Sequence, residues 1–352
     1  MNPYLTESPL PYLVVCGLAI FFLYQLGLAA RKLNLVDQPN VRKFHEVPMP
    51  VVGGLSIFLA ASFSFLLFPF GLGEFRYLLF SLGLLIVIGV LDDHSEVSPY
   101  AKVTIQLVVA AILVGIDQTI VTNIGDIFGW NTGNNLGLTW LAYPLTVIAI
   151  VGTINAFNMI DGHDGLAGMV FLLTIGSLML LCQIDGIWKY QYFLGIYFVA
   201  TTMFLCFNLR WIVGIKRQVF LGDAGSMLLG LLLVYFLITM SEDELVLLDT
   251  TSAPWLLGLP LFDMLSVMAL RLLSRESLIR ADRKHMHHLL SEKGFTKLQV
   301  LSILVVFHML LCAVGVLGTL LELPDTWMFW SFIVAALFYI AIHYRLSEAR
   351  KL

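Results

Sequence analysis

The sequence predicts an all-α fold, a polytopic bundle of about eleven transmembrane helices. Three observations carry that reading. Of the 352 residues, 59% are hydrophobic and only 12% charged, against ~25% charged in an ordinary soluble domain. Such a chain lacks the polar surface to cover itself in water, so lipid must be its solvent. Its apolar residues gather into long runs separated by short polar segments. Its basic residues fall almost wholly in alternate segments.

A helix needs ~20 apolar residues to cross the ~30 Å hydrocarbon layer. Eleven runs qualify, at about 11–30, 51–70, 77–91, 103–118, 139–158, 166–184, 191–209, 224–240, 253–272, 299–321 and 327–345. The third and fourth are short and read as tilted or partly re-entrant. Gly53 and Gly54 open the second run, which suggests close helix packing or a bent start. The first run follows Glu7 with no basic residue before it, unlike a signal peptide, and so reads as a retained span. Cys16, Cys182, Cys206 and Cys312 all lie inside apolar runs with no paired spacing, as small core residues do.

An odd number of spans puts the two ends on opposite sides. With the N-terminus outside and the C-terminus cytoplasmic, every basic residue except Arg76 and Lys189 falls on the inner face, as the positive-inside rule requires. No repeat and no soluble-length insertion interrupts the chain, so residues 1–352 read as a single integral membrane domain.

The same alternation sorts the acidic residues. Outside, they are scattered. Inside, Asp92 and Asp93 end the third run, Asp161 and Asp164 follow the fifth, Asp223 opens the eighth and Asp263 lies within the ninth. Carboxylates at a membrane face need water, a basic partner or a cation as compensation. In Asp92-Asp93-His94-Ser95-Glu96 the adjacent acids repel, and Glu96 follows one helical turn on. A divalent cation or Lys102 would relieve the repulsion; taken alone, the motif also reads as a plain acidic helix end. Asn155, Asn158, Asp161 and Asp164 recur every third position, so neighbouring members share a helix face. Gly162 and Gly165 should loosen the helix there. His163 reads as a surface loop residue.

Gly222-Asp223-Ala224-Gly225-Ser226 carries a carboxylate into the start of a helix, as an ordinary N-cap would, but its small residues also admit a phosphate or metal. Arg283-Lys284-His285-Met286-His287-His288 is a basic loop suited to phosphate, or to anionic lipid head groups. Its His285 and His288, three apart, could share a face. Arg42, Lys43 and His45 form a further basic patch that fits either a lipid phosphate or topological charge. Together these features describe one inner-face site for a diphosphate and a hard divalent cation, with magnesium favoured over calcium or zinc.

These motifs, in this order, resemble the polyprenyl-phosphate N-acetylhexosamine-1-phosphate transferases from about Val36 to Leu290. The loop Val36-Asp37-x-Pro39-Asn40-x-Arg42-Lys43-x-His45 matches as well. The His-x-His-His loop, followed here by Leu289-Leu290, is similar to the branch that uses UDP-N-acetylglucosamine. The resemblance implies transfer of GlcNAc-1-phosphate from UDP-GlcNAc to undecaprenyl phosphate at the cytoplasmic face of a bacterial inner membrane, with magnesium or manganese, at the start of a surface polysaccharide such as O-antigen. A sister transferase using another UDP-N-acetylhexosamine, and an ion-coupled transporter, stand as alternatives. The resemblance also implies that Asp223 and Asn158 hold the metal, that Asp164 contacts uracil, and that Lys102 and Arg283 face phosphates. Asp92 and Asp93 would orient or deprotonate the lipid phosphate, with Asp161 beside them. Asn155, His285, His287, His288, Arg42, Lys43 and His45 would bind substrate. Glu96 stands at the last position of the first motif, where the family often has Asp or Asn. No nucleic-acid partner is expected; a homodimer is allowed.

Overall fold

The computed structural model describes residues 8–37, 48–68, 73–129, 137–209, 214, 218–242, 247–275 and 284–348. The helices follow the apolar runs. They are α1 (Leu10–Ala29), α2 (Gly53–Leu67), α3 (Arg76–Ser95), α4 (Pro99–Ile112), α5 (Ala142–Ile160), α6 (Leu166–Ile184), α7 (Trp188–Asn208), α8 (Gly222–Glu242), α9 (Gly258–Leu273), α10 (Met286–Glu292), α11 (Lys297–Leu320) and α12 (Asp325–Glu348). A π-helical turn, Leu113–Asp117, extends α4, and 3-10 turns precede α5 and α9. The described β-structure is one antiparallel pair of two-residue strands, β1 (Val36–Asp37) and β2 (Met49–Pro50).

Ten helical stretches among the described residues are long and apolar enough to cross a membrane. The second run, 51–70, yields α2, a 15-residue apolar helix. The third and fourth runs are not short. They give spans of 20 and 19 residues, Arg76–Ser95 and Pro99–Asp117. Their polar ends, Asp92–Ser95 and Pro99–Lys102, are helical too, and an apolar criterion trims them away. Large apolar side chains point outward along the spans, as at Leu13, Val334 and Phe338, which suits a lipid solvent. Trp140, Trp188 and Trp327 stand exposed where α5, α7 and α12 begin, the position of interfacial anchors. All four cysteines are free, Cys182 and Cys312 buried, Cys16 and Cys206 partly so.

The chain forms two compact units. The first comprises residues 1–117 and 178–232, the second residues 118–177 and 233–352. In the first, α1 lies on α2 and α7, and α3 on α4. Phe65 of α2 stacks on Phe193 of α7 with centroids 4.7 Å apart, beside the buried Tyr197. In the second, α9 contacts α5, α11 and α12, and α10 rests on α11 and α12. Helix starts carry their own signals. Ser98 accepts the Ala101 N–H just before Pro99, and Thr296 and Gln299 form a reciprocal capping box at the start of α11.

Candidate functional site

In the first unit the chain after β2 brings two distant segments together. Phe220 N–H donates to Pro50 O at 2.8 Å. Gly53 and Gly54 N–H donate to Phe220 O and Leu221 O, each at 2.9 Å. This short ladder delivers residues 220–221 to the start of α8. A Cβ on Gly54 would sit 2.1 Å from Gly225 N, so α2 and α8 approach more closely than any side chain would permit. The close packing expected at Gly53-Gly54 is therefore present, and its partner is the small-residue segment that carries Asp223.

Gly222 turns the chain into α8 with φ +78°, a left-handed conformation that suits glycine. The first N–H groups of a helix have no intrahelical partner. Here Asp93, from the last turn of α3, takes two of them. Its Oδ1 accepts Asp223 N–H at 2.9 Å and its Oδ2 accepts Ala224 N–H at 3.3 Å. A carboxylate also suits the positive end of the helix dipole. Both Asp93 oxygens are thus committed to backbone, which makes it a cap for α8.

Asp92 faces elsewhere. Its Oδ1 accepts Val97 N–H at 2.6 Å, closing the 95–98 connection. Its Oδ2 lies 2.8 Å from Lys102 Nζ, and the same ammonium lies 2.9 Å from Asp223 Oδ2. The sequence singled out Lys102 as the nearest relief for the acidic pair, and it bridges Asp92 to Asp223. Glu96 takes no part in that helical face. The helix stops at Ser95, and Glu96 is exposed with φ +36°.

Among the described residues no three His, Cys, Asp or Glu side chains converge on a metal position. Asp92 and Asp223 nonetheless share one cation position, held by Lys102, and these two carboxylates flank that single ammonium. This oxygen-rich, net-negative pair fits magnesium, which takes one or two carboxylates and completes its shell with water and phosphate. It does not fit zinc.

In the second unit α5 ends at Ile160, and residues 161–165 turn before α6. Asn155, Asn158 and Asp161 are partly buried and follow one another along the last turns of α5. Asn155 Nδ2 donates to Val151 O at 2.7 Å. Asp164 is held by Lys297, from the first turn of α11, at 3.1 Å. Gly165 adopts φ +80°, so the expected loosening is a complete break between two helices.

The His-x-His-His segment begins α10. His285 is non-helical, at φ −69° and ψ 150°, and its carbonyl accepts the His288 N–H at 3.0 Å, one turn on. His285 and His287 rings lie parallel, 5.8 Å apart, and His288 packs on His287 at 4.2 Å. Asp263 of α9, only 2% exposed, anchors this segment. Its Oδ2 lies 2.7 Å from His285 Nδ1, its Oδ1 accepts Met286 N–H at 2.9 Å, and Tyr339 Oη lies 3.3 Å from Oδ1. Burial, with the neighbouring histidines, holds the His287 imidazole well below its usual range.

Arg42, Lys43, His45 and Arg283 lie outside the described residues. Asp92, Asp93, Lys102 and Asp223 belong to the first unit. Asn155, Asn158, Asp161, Asp164, His285, His287 and His288 belong to the second. Lys297 escaped the sequence reading because its partner stands 133 residues away; its only local signal was the Thr296-x-x-Gln299 cap. Asp263 was visible as an acid inside an apolar run, but nothing local named its partners.

Residues 75–241 match the family described as glycosyl transferase family 4. The chain is 31% identical over 341 residues to an undecaprenyl-phosphate alpha-N-acetylglucosaminyl 1-phosphate transferase of Yersinia pestis, covering 96% of this chain and 92% of the relative. A protein of the same description from Escherichia coli O157:H7 is 32% identical over 90% of this chain and 86% of its own length. One from Haemophilus influenzae is 32% identical over 88% and 87%.

Proposed function

The chain belongs to glycosyl transferase family 4, and from that premise we propose that it transfers GlcNAc-1-phosphate from UDP-GlcNAc to undecaprenyl phosphate, forming GlcNAc-diphospho-undecaprenol and UMP. The observation that carries this reading is the match over almost the whole length of relatives with that printed activity. The geometry is consistent with it. Two carboxylates sharing one cation position suit a divalent ion that would in turn receive a diphosphate.

The lipid phosphate oxygen attacks the β-phosphorus of the nucleotide sugar, and UMP leaves. A phosphate monoester has its second pKa near ~6, so the nucleophile is largely ionised at neutral pH and needs no strong base. Catalysis then rests on positioning and charge neutralisation. Lys102, held by Asp92 and Asp223, faces the phosphates. Asp93 fixes the backbone from which Asp223 projects. Asp223, with Asp92, would hold magnesium, manganese being the alternative; Asn158 is the further ligand that the family resemblance suggests. That ion would neutralise the diphosphate charge. Asp164, steadied by Lys297, would receive the uracil. Asn155, Asp161 and the His285–His288 segment would complete the nucleotide-sugar side, with Arg283 added from the sequence, and Arg42, Lys43 and His45 would meet the lipid phosphate.

The basic-residue bias supports an active site on the cytoplasmic face of a bacterial inner membrane, N-terminus outside, and a product that begins a lipid-linked surface polysaccharide such as O-antigen. The test is incubation of purified protein with undecaprenyl phosphate and a panel of UDP-sugars, following UMP release and label in the lipid phase. UDP-GlcNAc should give the highest kcat/KM. Turnover with another UDP-sugar alone would refute the assignment.

A further inference from the structure

The start of α8 is gripped between two helices at points where neither has a side chain. On the α3 side, a Cβ on Gly89 would come 2.3 Å from Ala224 Cα and 2.5 Å from Ala224 N. On the α2 side, a Cβ on Gly54 would come 2.2 Å from Gly225 Cα. Contacts that short are closed to any Cβ, and backbone cannot swing aside as the tip of a flexible side chain can. Gly89 and Ala224 are both buried. A glycine in a helix interior weakens the helix, so the close approach gives Gly89 its reason. Gly89 lies one helical turn before Asp93, whose carboxylate takes the Asp223 and Ala224 N–H groups. It stands three residues before Asp92, which shares Lys102 with Asp223. One ridge of α3 thus carries both the contact that sets the approach of α8 and the carboxylate that Asp223 must meet.

We propose that Gly89, with Gly54 opposite, is a positioning residue for the cation: by fixing how closely α8 approaches α3, it sets the span between the Asp92 and Asp223 carboxylates and so the size of the divalent ion that fits. This rests on the magnesium reading above and deepens it. The two carboxylates stand on different helices, so their separation is a property of helix packing and of neither motif alone. Magnesium demands near-ideal distances of ~2.0–2.1 Å to oxygen, whereas calcium accepts ~2.3–2.6 Å in a flexible shell, so span and rigidity decide between them. A segment pinned on both sides does not relax to admit the larger ion. A methyl group on Gly89 forces the backbone of residue 224 away from α3, which lengthens the span and draws the Asp223 and Ala224 N–H groups off Asp93.

The experiment follows Mn2+ binding to full-length protein in detergent by electron paramagnetic resonance, with Mg2+ and Ca2+ titrated in as competitors. Wild type is compared with Gly89→Ala and with Gly83→Ala, a control in the same helix where a Cβ would meet Phe58 Cζ at an ordinary 3.9 Å. Both substitutions raise helix propensity alike, so helix strength does not separate them. Gly89→Ala should weaken Mg2+ about tenfold, roughly 1.4 kcal/mol, and Ca2+ by clearly less, which moves the preference toward Ca2+. Gly83→Ala should keep the wild-type preference. Ala224→Gly, which takes a methyl out of the same contact and adds no clash, is the second variant; it should also narrow the Mg2+ preference, and it decides the matter if Gly89→Ala does not melt cooperatively. Equal weakening of both ions is what general loss of structure gives, and it would overturn the proposal, as would an unchanged preference. Mn2+ affinity that is the same in wild type and Asp223→Asn would instead overturn the metal assignment on which the proposal rests.

Discussion

Asp93 governs Asp223 through the backbone: its carboxylate receives the Asp223 N–H at 2.9 Å and the Ala224 N–H at 3.3 Å, and so caps the helix from which Asp223 projects. Two adjacent acids therefore perform different work. Asp92 shares a cation with Asp223, whereas Asp93 orders its helix. Removing a cap costs about 0.5–2 kcal/mol. Asp93→Ala should therefore lower both activity and melting temperature, while Asp92→Asn should lower activity at nearly unchanged melting temperature. Thermal denaturation of the two variants in one detergent checks this. Equal melting temperatures for wild type and Asp93→Ala would remove the capping role.

Asp223→Asn keeps the shape of the side chain and removes the charge that Lys102 and the proposed magnesium both need. Turnover should fall by far more than tenfold, which is ~1.4 kcal/mol in the barrier. Retention of a tenth of wild-type activity would take Asp223 out of the metal shell. Chelation should likewise abolish turnover, and magnesium should restore it. In Lys102→Met the two carboxylates lose their internal cation, so added magnesium should raise melting temperature more than in wild type. A thermal shift that is the same in both proteins would argue against a shared cation position.

Asp249 offers a pH test away from that chemistry. Burial, with the Asp325 and Glu322 carboxylates nearby, pushes it from the usual carboxylate range up to about 6. The folded form thus binds this proton more tightly than the unfolded chain, whose Asp titrates near ~3.9. The cost of ionisation is absent below ~4, grows as pH rises through this window and is complete above about 6. Asp249→Asn removes that cost. It should raise melting temperature at pH 7.5, by an amount that shrinks at pH 5, and leave turnover unchanged. Melting curves at the two pH values decide it; a variant that is no more stable than wild type at pH 7.5 contradicts the sign.

The helical membrane fold was legible because lipid imposes a length and a composition on every span. What the sequence blurred were helix ends. The polar last turn of α3 and first turn of α4 looked like loops, yet they are where Asp92, Asp93 and Lys102 sit. Motif membership was legible as well, through Asp223 after Gly222 and through the acid and amide spacing at Asn155–Asp164. Partner choice was not. Lys102 meets Asp223 across 121 residues and Lys297 meets Asp164 across 133. Periodicity carries no information about such distant pairs. Nor did the histidine spacing show that His285 precedes α10 or that its ring lies parallel to that of His287.

The Asp263–His285 pair supplies the last prediction. Asp263 is fully enclosed, and its bond to His285 Nδ1 fixes which imidazole nitrogen can serve a ligand, while its bond to Met286 N–H pins the start of α10. An amide at position 263 can still accept from the backbone, but half of it presents a donor to His285. Asp263→Asn should therefore preserve the fold and disturb the ring, raising KM for UDP-GlcNAc with KM for undecaprenyl phosphate nearly unchanged. If Asp263 acts through His285, then Asp263→Asn adds little once His285→Ala is present. The double-mutant cycle on kcat/KM for UDP-GlcNAc should give a coupling of about 0.5–3 kcal/mol. Additive losses, or an effect confined to the lipid substrate, would show that Asp263 does not work by positioning this histidine.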